Sequence, residues 1–314
     1  MIDLHCDLLS YLRFDPKRTP FDAKSLCSVS QLKEGGIALQ VMAVYTTTGP
    51  WSSRIGAQQI EIFQKLPVKY PQAFSFYKGD LTKPQIQILC AIENGSGLCE
   101  ENEPLEQGLR RFEELVKSCG CFYVSLTWNE ENRFGGGAET SVGLKEEGKR
   151  FIEAMSLYGV ALDLSHSSDQ LAYDALCFID QKSLKIPVLA SHSNFRALCN
   201  QSRNLPDELA LEIIRRGGII GLVSYRKFLN PATLQGFADQ VEYGLKLGGE
   251  KALALGNDFF CMEDFSELNH GFIIEHAGQL PRVLESVRER GIDPSLFFEN
   301  AKRFIEGWRR VSEI

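Results

Sequence analysis

The chain opens Met1-Ile2-Asp3-Leu4-His5-Cys6-Asp7-Leu8, and this stretch decides how the rest is read. Ile2-Asp3-Leu4 begins a short apolar strand, and His5 and Asp7 stand two apart on it. A period of two places both side chains on one face. An imidazole and a carboxylate side by side at a strand end can hold a divalent cation. By itself a His-x-Asp pair is more often a polar pair satisfied by its neighbours, so the reading depends on what the other strands bring.

Working outward, eight apolar or β-branched runs are bounded by Gly, Pro or polar residues: 2–6, 36–45, 85–93, 121–128, 160–166, 187–192, 218–225 and 252–258. Most are continuous rather than alternating, the pattern of parallel strands covered on both faces. Helical spacing intervenes in Leu105, Leu109, Phe112 and Leu115, in Phe151, Ile152 and Met155, and in Leu171, Ala175 and Leu176. Pro206 starts a further helix that Arg215-Arg216-Gly217 ends, and 284–290 and 295–311 read as closing helices. Strand-then-helix repeated over about 250 residues predicts an α/β fold, a (β/α)8 TIM barrel, with a doubly wound open sheet as the competitor. No Gly-rich phosphate fingerprint follows the first strand, which counts against a dinucleotide fold. Gly135-Gly136-Gly137 lacks a following Lys-Ser/Thr and reads as a mobile loop. With no linker-like break, the expectation is one domain over residues 1–314.

Composition narrows the class. A hydrophobic fraction of 44% with 24% charged residues is that of a globular chain with ample core. The net charge of -7 and the lack of a basic run argue against a nucleic-acid partner. Nine cysteines without CxxC spacing, Cys90, Cys121 and Cys177 among them in apolar runs, read as small buried thiols in a reducing compartment. No signal peptide or membrane span is visible, so the expectation is a cytoplasmic protein with no membrane partner.

The rare groups fall at strand ends. Of five histidines, His5, His166 and His192 end strands one, five and six; Glu93 ends strand three and Asp258 strand eight. All strand C-termini of a parallel barrel open on one face, so these groups would converge at its mouth. A polar group after four apolar strand residues otherwise faces a dry core at a cost of several kcal/mol unless paired. The count suits two cations: His5 and Asp7 on one, His166 and His192 on the other, and Glu93 bridging. Nitrogen and oxygen ligands without thiolates favour Zn2+, with Mn2+ or Fe2+ as alternatives. Two such ions about 3.5–4 Å apart would share a hydroxide and make it nucleophilic. Asp258 is placed to take and return a proton. Cys6 faces away from His5, His270 and His276 fall in polar surroundings, and Asp163 is a supporting or strand-ladder carboxylate.

These residues resemble the membrane (renal) dipeptidase family, dinuclear zinc peptidases of the amidohydrolase-like barrel group. The resemblance is carried through nearly the whole chain by residues 3–8, Ile92-Glu93-Asn94-Gly95, residues 143–150, 163–166, 191–193, Ser202-Arg203-Asn204-Leu205-Pro206-Asp207 and Gly256-Asn257-Asp258-Phe259. It implies hydrolysis of dipeptides with His5, Asp7, Glu93, His166 and His192 as metal ligands and Asp258 as the acid/base. It also implies that Arg203 grips the substrate carboxylate, that Tyr225 lines the pocket, and that the chain forms a homodimer. One position departs: Trp128 stands where the family carries a histidine that polarises the scissile carbonyl, and an indole cannot act as a cation. Losing such a donor costs about 10²–10³ in turnover. The expectations left open are therefore a dipeptidase, a hydrolase of another amide, lactam or lactone, and a catalytically impaired metal-binding barrel.

Overall fold

The computed structural model describes residues 1–264 and 271–312, with side chains through residue 309. Nine parallel strands follow in chain order: β1 (Ile2–Cys6), β2 (Leu39–Tyr45), β3 (Phe74–Phe76), β4 (Ile86–Glu93), β5 (Tyr123–Ser125), β6 (Ala161–Asp163), β7 (Val188–Ala190), β8 (Ile219–Leu222) and β9 (Leu253–Leu255). Eight of them close a ring in the order β2-β1-β9-β8-β7-β6-β5-β4, sealed by pairing of β2 with β4 from Leu39↔Gln87 to Tyr45↔Glu93. The α/β barrel reading holds. The ninth strand, β3, pairs only with Ile86–Ile88 at the start of β4.

The ring forms because both faces of its strands are apolar, and β4 is buried along its whole length. Leu39, Val41, Leu89, Ala91, Tyr123, Ala161, Leu189, Ile219 and Ala254 form one cluster, against which Phe304, Ile305 and Trp308 of the closing helix Ser295–Ser312 pack. Met42, Val44, Cys90, Ile92, Val124 and Leu162 belong instead to the cluster shared with the surrounding helices. At about 25 cal/mol per Å2 such burial dominates stability.

The predicted strand limits need correcting at their C-terminal ends. β5 to β9 stop two or three residues before Trp128, His166, His192, Tyr225 and Asp258, so these side chains stand on the loops above the ring. Besides the short helices Leu8–Phe14 and Val29–Glu34, two longer ones that apolar spacing does not single out, Ser52–Lys69 and Leu234–Lys246, are also present. The first buries Ser52, Ser53, Gly56 and Gln59 beside only Phe63 and Leu66. Its contact face is small because the backbone at Gly97 lies against Gly56, where a Cβ would meet the Gly97 oxygen at 2.1 Å. The glycine run 135–137 is buried and packed, contrary to the mobile-loop expectation: a Cβ on Gly137 would lie 2.0 Å from the Trp128 carbonyl. Cys90 and Cys121 are buried thiols, whereas Cys177 is exposed on its helix. No helix among the described residues is long and apolar enough to cross a membrane.

Candidate active site

The five predicted ligands reach the mouth of the ring from four strands. His5 lies in β1, whose register slips between Asp3 and Cys6, and Asp7 follows as the residue before the helix Leu8–Phe14. Glu93 is the last residue of β4. His166 and Asp258 have φ of 66° and 63°. Non-glycine residues take up this left-handed region only when their surroundings hold them there, and such strain gathers at functional sites. Here it turns both chains sharply off their strands. Cys6 packs in the outer core, away from His5, as read.

The three imidazoles share one arrangement. His5 Nδ1 lies 2.7 Å from the Tyr123 hydroxyl, which gives its own proton to the Leu4 carbonyl at 2.9 Å, so His5 is the donor. His192 Nδ1 lies 2.7 Å from Ser191 Oγ, whose proton goes to Asp163 at 2.6 Å. His166 Nδ1 donates to Asn129 Oδ1 at 2.7 Å. With every proton on Nδ1, each Nε2 keeps a bare lone pair. All three lone pairs point at Glu93. His5 Nε2 is 3.1 Å from its Oε2, and His166 and His192 Nε2 are 2.8 and 3.7 Å from its Oε1. His166 and His192 Nε2 face each other at 2.9 Å.

Lone pairs aimed at carboxylate oxygens are unfavourable unless something positive lies between them. Burial pushes Glu93 up to about 8, with Arg203 opposing and Asp163 adding. Burial and then Glu93 raise Asp7, whose Oδ1 is buried with no hydrogen-bond partner. Asp258 is pushed up to about 7, first by burial, with His5 opposing and Glu93 adding. Burial holds His166 and His192 well below the ordinary imidazole value, keeping them neutral as ligands must be. Ligand atoms lie within 4.8 Å of one another in three groups: His5, Asp7 and Glu93; Glu93, His166 and His192; and His5, His192 and Asp258. Divalent cations fit this donor set, which supplies neutral nitrogens, carboxylate oxygens and the orphaned Oδ1 of Asp7.

The cavity above is lined by Asp7, Glu93, His166, Arg203, Tyr225, Trp128 and Asp258, together with Tyr45, Phe228 and Phe260. The structure thus brings His5, Asp7, Glu93, Trp128, His166, His192, Arg203, Tyr225 and Asp258 to one mouth. Trp128 stacks on the His166 ring (centroids 5.8 Å, 27°) and meets Tyr45 edge-on at 5.4 Å. Arg203 is 7% exposed; its contacts to Ser193 Oγ and the His192 carbonyl are long, 3.5 and 3.3 Å, and its Nε has no partner. His276 accepts from the Gly278 N–H at 3.1 Å and is no ligand, while His270 lies outside the described residues. Spacing alone did not reveal the acceptors Tyr123, Asn129 and Ser191. Tyr123 lies on the strand before Trp128, and Asn129 and Ser191 each adjoin a residue already singled out. Asp163 takes the supporting role: Ser125, Ser165 and Ser191 together give it four hydrogen bonds.

Comparison with known proteins follows the same line. Dipeptidase aclJ of Aspergillus oryzae is 30% identical over 188 residues, 58% of this chain but only 40% of that protein. An uncharacterized dipeptidase of Schizosaccharomyces pombe is 23% identical over all of this chain and 81% of its own length. Dipeptidase 3 of Rattus norvegicus is 25% identical over 93% of this chain and 60% of its own. Among solved structures, a metallo peptidase from Rhodobacter sphaeroides liganded with a phosphinate mimic of the dipeptide L-Ala-D-Ala superposes with a TM-score of 0.83 at 19% identity, covering 97% of this chain and 98% of that one. The family model for membrane dipeptidase matches residues 1–312, and the chain belongs to that family, peptidase family M19.

Proposed function

We propose that this protein hydrolyses the peptide bond of dipeptides at two bound divalent cations, Zn2+ first among the candidates. His5 and Asp7 would hold one ion, His166 and His192 the other, and Glu93 would bridge them through its two oxygens. The observation that carries this reading is the convergence of three bare Nε2 atoms on one buried carboxylate. When bound, such a pair supplies an activated water and polarises the scissile carbonyl.

The chain's own residues would do the rest. Arg203 offers a buried guanidinium whose Nε is unpartnered, and a planar fork suits the carboxylate at the dipeptide's C-terminus. Asp258 lies 3.7 Å from His5 Nε2 at the cavity floor, and burial keeps its carboxyl near neutrality. It can therefore accept the water's proton and return it to the departing amine. Tyr225, Phe228 and Phe260 wall the cavity with aromatic surface, which excludes water and strengthens each charge interaction inside. Trp128 packs flat on His166 and adds rigidity where a titrating donor would otherwise sit.

A panel of L-L and L-D dipeptides offered to metal-loaded protein tests the proposal. Cleavage that disappears on chelation and returns with zinc is expected; no cleavage of any member with both ions bound contradicts it. Trp128 motivates the second reading, an amide, lactam or lactone other than a dipeptide. Turnover of such a compound exceeding that of every dipeptide would favour it.

A further inference from the structure

Two charged groups line the cavity mouth that neither the cation ligands nor the carboxylate clamp employ. Glu139 and Lys227 are exposed there, and no carboxylate or cation lies within ion-pair distance of either among the described residues. They sit far apart around the ring. Glu139 follows β5 and Lys227 follows β8, three steps away in a ring of eight strands. One rim is therefore anionic and the other cationic.

The cationic rim is built together with the clamp. Lys227 lies in the turn Arg226–Phe228, and the Arg203 guanidinium sits 5.5 Å from the Phe228 ring centroid. Asn204, next to Arg203, donates to the Phe228 carbonyl at 3.1 Å, and Cys199 Sγ lies 3.7 Å from the Lys227 carbonyl. Arg203 and Lys227 thus belong to one hydrogen-bonded platform carrying two positive charges. On the other side, the Glu139 N–H donates to the Asn129 carbonyl at 2.9 Å, which ties its backbone to the residue after Trp128, and Glu139 lines the same cavity. A lone exposed lysine is ordinarily a solvated charge of little consequence. Lys227 differs because it lines the cavity, has no ion-pair partner among the described residues and neighbours the group proposed to hold the substrate's terminal carboxylate.

We propose that Lys227 and Glu139 sort substrates by charge, selecting dipeptides whose C-terminal residue carries an acidic side chain and disfavouring an acidic N-terminal residue. The inference rests on the dipeptidase reading and adds a substrate class to it. With its terminal carboxylate on Arg203, an aspartyl or glutamyl residue presents its second carboxylate to the adjoining cation. An acidic N-terminal side chain is carried toward Glu139 instead. This contact exists equally before and during bond cleavage, so it acts through KM rather than kcat.

The test compares kcat/KM of the zinc-loaded protein on L-Ala-L-Ala, L-Ala-L-Asp, L-Asp-L-Ala and L-Ala-L-Lys. Wild type is expected to favour Ala-Asp over Asp-Ala by about tenfold at low salt, an advantage that shrinks as ionic strength rises. Lys227→Gln should cut the Ala-Asp to Ala-Ala ratio by about three- to tenfold, chiefly through KM. Lys227→Glu should invert the order of Ala-Asp and Ala-Lys. If Ala-Ala is cleaved and neither substitution moves these ratios, the sorting role is overturned and the dipeptidase reading stands. If no dipeptide is cleaved with both cations bound, both are overturned.

Discussion

Tyr123, Asn129 and Ser191 decide what the three histidines can do, because each accepts a hydrogen bond from Nδ1–H and leaves Nε2 bare. Tyr123→Phe deletes the acceptor under His5 while keeping the ring. Removing such a supporting partner lowers metal affinity about 10–100-fold. Competition against a chromophoric chelator should show that loss with unchanged far-UV circular dichroism; an unchanged affinity would mean that the tautomer is set elsewhere. Arg203→Lys keeps the charge but loses the fork, so KM for dipeptides should rise about tenfold or more with a smaller change in kcat. A larger loss in kcat than in KM would place Arg203 in the chemistry rather than the clamp. Trp128→His restores a titratable donor, and kcat on dipeptides is expected to rise about tenfold or more. A fall would show that the indole's packing on His166 matters more than the missing donor. His5, Asp7, Glu93, His166, His192 and Asp258 were legible in the sequence because each falls at or just past the end of a strand-like run. Tyr123 was not, since its importance arises from a residue distant in sequence, His5, which only the closed ring brings beside it.

At the scale of elements, the segment between β5 and the helix Glu146–Leu157 holds Trp128 and Asn129 in place. Arg133, 8% exposed, makes paired 2.8 Å bonds to both oxygens of Glu147 and a 2.7 Å bond to the Glu103 carbonyl. Lys145 Nζ donates to the Asn132 carbonyl at 2.7 Å. The block of residues 143–150, read from the sequence only as part of a family pattern, is thus the anchor of this loop. Arg133→Ala leaves the part-buried Glu100 and Glu103 carbonyls without their donor and should cost about 2–3 kcal/mol, measured by denaturant unfolding. It should also weaken cation binding through Asn129 and His166. A stability loss with unaltered cation affinity would show that the loop does not govern the ligand. The same scale explains what spacing could not give. The strands β5 to β9 are short because the chain turns out of the ring early, at His166 and Asp258 through positive φ. Apolar runs continue past these turns because the loops themselves are buried, so the sequence pattern overstates strand length.

Across the whole molecule, crowding of the buried Asp7 and Glu93 with the half-buried Asp258 around one mouth sets stability against function. Each carboxyl is raised by burial, and Glu93 adds to the rise of the other two. Cations that bind only the folded state stabilise it by about 4 kcal/mol at a thousand times Kd. Chelation should therefore lower Tm by several degrees and zinc should restore it; a Tm indifferent to chelation would mean that the cluster is satisfied without cations. The barrel itself was legible because eight apolar runs alternating with helices leave few other closures. β3 was not, since Phe74–Phe76 is three residues long and lies outside the ring, paired with the start of β4. The central claim is that five residues spread from His5 to His192 hold two ions about Glu93. Anomalous diffraction at the zinc edge from zinc-loaded crystals tests it most directly. The account predicts two peaks, one beside His5 and Asp7 and one beside His166 and His192, with Glu93 between them. A single peak, or none within bonding distance of Glu93, would contradict it.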